Sequence, residues 1–93
     1  MSPTYNVLSD GEALTVSGVS ASSAVMPAGT THVRIATTTN AHFRQGTGTV
    51  TAVVTDRLLP AGWVEVIPAA PGVKVAAIQN TAGGTFTVTP LSM

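Results

Sequence analysis

His32-Val33-Arg34-Ile35-Ala36-Thr37 is the stretch that decides how this chain folds. Val33, Ile35 and Thr37 alternate with His32, Arg34 and Ala36, a period of two that sends one set to a core and the other to water. A helix needs apolar residues three and four apart with helix formers between them, and that spacing is nowhere to be found. Fifteen Thr and thirteen Val, with 9 Gly and 6 Pro, favour pleated strands and tight turns instead.

Downstream, Asn40-Ala41 reads as a turn, after which Ala41, Phe43 and Gln45 alternate with His42 and Arg44. Gly46-Thr47-Gly48 then leads into a predicted strand over 49–55 that carries Val50, Val53 and Val54. Leu58-Leu59-Pro60-Ala61-Gly62 reads as a Pro/Gly turn preceded by two leucines. A strand over 63–67 follows, with Val64 and Val66 facing one way and Trp63, Glu65 and Ile67 the other. Pro68-Ala69-Ala70-Pro71-Gly72 breaks the chain before a strand over 73–79, apolar on both faces toward its end as a central strand requires. Asn80-Thr81-Ala82-Gly83-Gly84 makes a hairpin loop; the last strand runs over 85–89 with Phe86 and Val88 inward, and Pro90 stops it.

Upstream, Leu14 and Val16 alternate with Ala13, Thr15 and Ser17, Gly18 marks a bulge, and residues 20–26 form a second short strand ended by Pro27-Ala28-Gly29. Seven or eight short strands separated by turn signals predict an all-β domain. The expected architecture is an antiparallel β-sandwich, jelly-roll-like, with a small closed barrel as the other solution. Residues 13–93 read as one β-sandwich domain and residues 1–12 as an N-terminal arm that contacts a partner.

Composition narrows the function. The chain has 93 residues, 44% hydrophobic and only 9% charged, with four basic and four acidic side chains and no net charge. A typical soluble domain carries roughly 25% charged residues, so this surface has little charge to keep copies apart and is expected to associate. Four scattered cations, Arg34, Arg44, Arg57 and Lys74, make no basic stripe, so no nucleic-acid partner is expected. The apolar fraction speaks against disorder, and no apolar run approaches the roughly 18 residues of a membrane span. Without cysteine there is neither a disulfide framework nor a thiolate metal site. The first residues show neither a basic region nor an apolar core, so no signal peptide is expected and synthesis in a host cytoplasm is.

Catalytic constellations are thin. His32 and His42 are the only imidazoles, and Asp10, Glu12, Asp56 and Glu65 the only carboxylates. No Gly-x-Ser-x-Gly elbow presents a serine nucleophile. A metal site from His32, His42 and Asp56 competes with the plainer reading that both histidines lie on solvent-facing strand positions beside arginines. Asp10 and Glu12 read as surface solvation, Asp56-Arg57 as a loop ion pair, and Gly46-Thr47-Gly48-Thr49 as a turn lacking the lysine and helix of a phosphate loop. The expectation is a protein with no catalytic, cofactor or metal residues.

Trp63 carries more information. It either caps one end of the core or, if Val64 and Val66 fill the core, lies on the outer face, where tryptophan favours interfaces. With Tyr5, Val7 and Leu8 in the arm and Leu58 and Leu59 before the turn, it forms a set not needed inside and expected to be covered by a partner.

His32-Val33-Arg34-Ile35, Phe43-Arg44, Gly46-Thr47-Gly48-Thr49-Val50, Leu59-Pro60-Ala61-Gly62, Glu65-Val66, Val75-Ala76-Ala77-Ile78 and Val88-Thr89-Pro90 occur in a telling order. Over roughly residues 12–90 the chain resembles the small all-β virion proteins of tailed bacteriophages, especially capsid decoration (cement) proteins. The resemblance implies a jelly-roll-like sandwich that oligomerises, as a trimer at local three-folds, and stabilises the head surface by bridging subunits of the major capsid protein. It carries over no catalytic motif. The expected contact set is Tyr5, Val7, Leu8, Leu58, Leu59 and Trp63, with Asp56 and Arg57 setting register. The competing expectation is a fibre or tail-associated module that binds carbohydrate or another virion protein.

Overall fold

The computed structural model describes residues 5–93, so residues 1–4 of the expected arm lie outside the described residues. Nine strands follow in chain order: β1 (Asn6–Val7), β2 (Glu12–Val16), β3 (Ala21–Ser22), β4 (His32–Thr37), β5 (Ala41–Gly46), β6 (Arg57–Leu59), β7 (Val64–Pro68), β8 (Lys74–Gln79) and β9 (Gly84–Ser92). All pairings are antiparallel, and four of them nest: β5 with β6, β4 with β7, β3 with β8 and β2 with β9. The chain is thus one long antiparallel ribbon rolled up so that alternate pairs fall into different sheets. One sheet runs β1-β9-β4-β7 with β2 also on β9, and the other β3-β8-β5-β6. That winding is the eight-stranded jelly roll. β1 extends it by laying Asn6 opposite Ser92 and Val7 opposite Leu91.

Period-two alternation builds the core. The first sheet sends in Leu14, Val16, Val33, Ile35, Ile67, Phe86 and Val88, and the second Ala41, Phe43, Leu59, Val75 and Ala77. Phe43 and Phe86 meet across the middle with ring centroids 6.1 Å apart. Small alanines on β5 and β8 leave room for these two rings, the alternation of large and small that fills a sandwich.

Four sequence expectations change here. Residues 49–55 are not a strand: the β5–β6 connection folds over the outer face of the second sheet, where Val50 and Ala52 bury Ala76 with Ile78 packed against them. This cover explains why β8 is apolar on both faces. Of residues 20–26 only Ala21–Ser22 is strand, although Ser23 and Met26 still donate backbone hydrogen bonds to Val75 and Val73. Residues 57–59, read as the approach to a turn, form β6, and the turn proper is Pro60-Ala61-Gly62-Trp63, with Gly62 at φ 79°. Pro90 does not stop β9. It pairs with Val33 inside the strand, and its missing N–H points at the break between β1 and β2, where only its carbonyl is used, by Leu8 N–H.

The structure also settles the phase of β7, which the sequence left open. Ile67 is 5% exposed and belongs to the core, whereas Val64 and Val66 are 48% and 39% exposed on the outer face. Three apolar residues at both parities left the alternation of this strand ambiguous.

Candidate interaction surface

β2 and β3 lie together on one side of the sandwich, joined where Glu12 Oε1 accepts the Ala24 N–H at 2.9 Å. The edges β6 and β7 lie together on the opposite side. There Gln45 Nε2 donates to the Pro68 carbonyl at 2.9 Å and ties the second sheet to the first.

The eight candidate contact residues divide between these sides. Tyr5, Val7 and Leu8 belong to the β1 edge of the first sheet. Tyr5 is half-buried, edge-on to the His32 ring at 5.1 Å; Val7 is exposed, and Leu8 is half-buried with its N–H bonded to Pro90. Asp56, Arg57, Leu58, Leu59 and Trp63 belong to the β6–β7 side. Leu59 is 1% exposed and fills the core, which removes it from any contact surface. It faces inward because it pairs with Ala41, an inward residue of β5. Leu58, one residue earlier, points out. Trp63 is 63% exposed and caps no part of the core.

Asp56 and Arg57 do not pair with each other. Asp56 Oδ1 accepts from Arg44 Nε at 3.0 Å and Nη2 at 2.8 Å, and Oδ2 accepts the Val53 N–H at 2.8 Å. The Asp56 carbonyl faces His42 Nδ1 at 2.8 Å. Asp56 therefore pins the covering loop to β5. The Val53 amide above all, and then the Arg44 guanidinium, hold its carboxyl below the usual carboxylate range. Arg57 instead lies over the Phe43 ring, 4.7 Å from its centroid.

His32 and His42 stand on different sheets, so they cannot share a metal with Asp56. Among the described residues no three His, Asp or Glu side chains cluster as metal ligands. A cleft of about 80 Å³ lies between Glu12, residues 24–27, Val88 and Pro90.

Backbone hydrogen bonding defines the open side more sharply than side chains do. Ala69 N–H donates to Thr31 at 3.0 Å and Thr37 N–H to Trp63 at 3.4 Å, so residues 63, 65, 67 and 69 turn their backbone toward β4. Val64 and Val66 turn theirs away, to the open edge. On the other sheet, Ser23 N–H donates to Val75 at 2.8 Å, and strict alternation through β8 and β5 directs Arg57 and Leu59 toward β5. Leu58 is left with its N–H and C=O at the open edge. Sequence reading found Leu58 and Trp63 but not Val64, Val66 and Glu65, because it left open which face of β7 meets the core.

Comparison of the chain with protein-family models, with curated proteins and with solved structures found no match.

Proposed function

We propose that this protein is a structural component of a tailed-phage virion: a capsid decoration (cement) protein that oligomerises and stabilises the assembled head by bridging major capsid subunits on its surface. The observation that carries the reading is the β6–β7 side. Two sheet edges with open backbone groups lie there together, flanked by exposed Leu58, Trp63, Val64 and Val66, on a molecule whose described residues hold one ion pair. An isolated monomer is poorly served by such a side, since unprotected edges invite pairing and apolar patches invite contact. A subunit of a dense lattice uses both. Jelly rolls also serve as lectin and cupin domains, so the fold supports the reading by analogy only.

A carbohydrate-binding module needs an aromatic platform. Tyr5 packs on His32 at the start of β4, whereas the Trp63 backbone meets Thr37 at its end, so the two rings do not form one surface. The structural reading is therefore preferred over the fibre or tail module, and over any enzyme.

The mechanism is linkage. A protein that binds only the assembled lattice stabilises that state by about 2.7 kcal/mol per site at a hundredfold excess over its Kd. Purified protein mixed with undecorated capsids is expected to co-sediment with them and to raise their survival on heating. Trp63→Ala is expected to weaken capsid binding by about tenfold or more, as for an exposed aromatic anchor. Failure of the wild type to bind capsids rejects the reading.

A further inference from the structure

We infer that the β6–β7 side is a self-association surface, on which β7 of one copy pairs antiparallel with β6 of a second copy, setting Glu65 opposite the second copy's Arg57. The inference specifies how the proposed oligomer is built and stands on geometry of its own.

Strand direction comes first. β8 and β9 run oppositely through the 80–83 turn, and antiparallel order within each sheet then makes β6 and β7 run oppositely too. Rotating a copy about an axis parallel to the strands keeps every strand direction. It therefore brings β7 against a second copy's β6 in antiparallel orientation, and β6 against a neighbour's β7. The outer faces of the two joined sheets become continuous, and so do their inner faces.

Register follows from the open backbone groups. Val64 and Val66 offer theirs on β7, and Leu58 on β6. Opposite residues of an antiparallel pair share a face, so outward Val64 or Val66 can meet outward Leu58. Pairing Val64 with Leu58 closes two hydrogen bonds and places Glu65 directly opposite Arg57. Both side chains have inward parity, both are exposed, and among the described residues neither has a salt bridge. The alternative, Val66 with Leu58, sets Arg57 against buried Ile67 and leaves Glu65 against buried Leu59. Charge thus selects the first register. It also disfavours β7 on β7 in the register that pairs Val64 with Val66, which places two Glu65 carboxylates face to face. The same axis closes a ring of two or of three copies, because each copy offers one β7 and one β6 on the same side.

The test is native mass and sedimentation of the purified full chain, with circular dichroism to verify folding. Wild type is expected to be oligomeric at micromolar concentration. Glu65→Arg, facing Arg57 with like charge, is expected to weaken association by about tenfold or more while remaining folded. The exchanged variant Glu65→Arg/Arg57→Glu is expected to restore it. Should the exchange misfold through loss of the Arg57–Phe43 contact, Glu65→Gln, which keeps Arg57 in place, is expected to weaken association less than Glu65→Arg does, and wild-type association is expected to fall as salt is raised. A monomeric wild type, or a folded Glu65→Arg that assembles as wild type does, overturns the inference. Neither result bears on capsid binding, which co-sedimentation reads separately.

Discussion

Leu58 and Leu59 adjoin in sequence and differ in everything else. Leu59→Ala opens a cavity between the sheets and is expected to cost 2–5 kcal/mol, whereas Leu58→Ala is expected to stay within about 0.5 kcal/mol, both read by denaturant unfolding of the folded monomer or its dissociated form. Asp56 makes a different prediction, in pH. Its carboxyl titrates lower in the folded protein than in the unfolded chain, because the Val53 amide and Arg44 favour the charged form. Its contribution to stability is therefore complete above the ordinary carboxylate range near pH 4 and disappears as pH falls through the depressed folded value. Asp56→Asn is expected to flatten that part of the stability–pH curve. Because Asp56 clamps the covering loop, the variant is also expected to show faster amide exchange over 50–56 and earlier proteolysis there, with the main core unaffected.

At the scale of elements, the two strands that were easiest to read are those whose environment is simplest. β4 has one buried and one wet face, and its alternation is explicit. β8 is buried on both, and its run of apolar residues says so. β7 stayed ambiguous because Val64, Val66 and Ile67 occupy both parities, and only the pairing of Ile67 with Val33 resolves which is inside. β6 was read as a turn because three residues ending at a proline carry no periodicity. The loop over 49–55 has strand composition, yet Val50 and Ala52 cover Ala76 and the loop pairs with no strand, a tertiary preference that local sequence does not encode. The contact surface suffered accordingly: Trp63 and Leu58 stood out as spare apolar residues, but the edge that links them depends on the phase of β7. The start of β9 offers a check on close packing. A Cβ on Gly84 falls 2.6 Å from Thr38 Oγ1 and 2.8 Å from Thr39 Cγ2, while one on Gly18 meets nothing nearer than 3.7 Å. Gly84→Ala is expected to lose about 1–3 kcal/mol, a drop of several degrees in Tm, and Gly18→Ala to leave Tm nearly unchanged.

At the scale of the whole molecule, the low charge and the rolled ribbon belong together. A ribbon of nested pairs leaves four sheet edges, and charged or proline-bearing edges are the ordinary protection against unwanted pairing. Here β7 uses one proline, at Pro68, whose carbonyl is already engaged by Gln45, and leaves its other half bare. The β1–β2 edge is broken instead, by Leu8 to Gly11 between two strands.

The pairing of Asn6 with Ser92 has a mechanical meaning. Both ends of the described chain leave from one corner of one sheet, side by side and antiparallel. Tension applied between them loads their short ladder one rung at a time, as a zipper is opened, and meets little resistance. Force that enters through the β6–β7 side and leaves through the opposite edge must instead slide or separate whole strands together. A load taken up through the open side is therefore borne along the strong direction and leaves the weak corner unloaded.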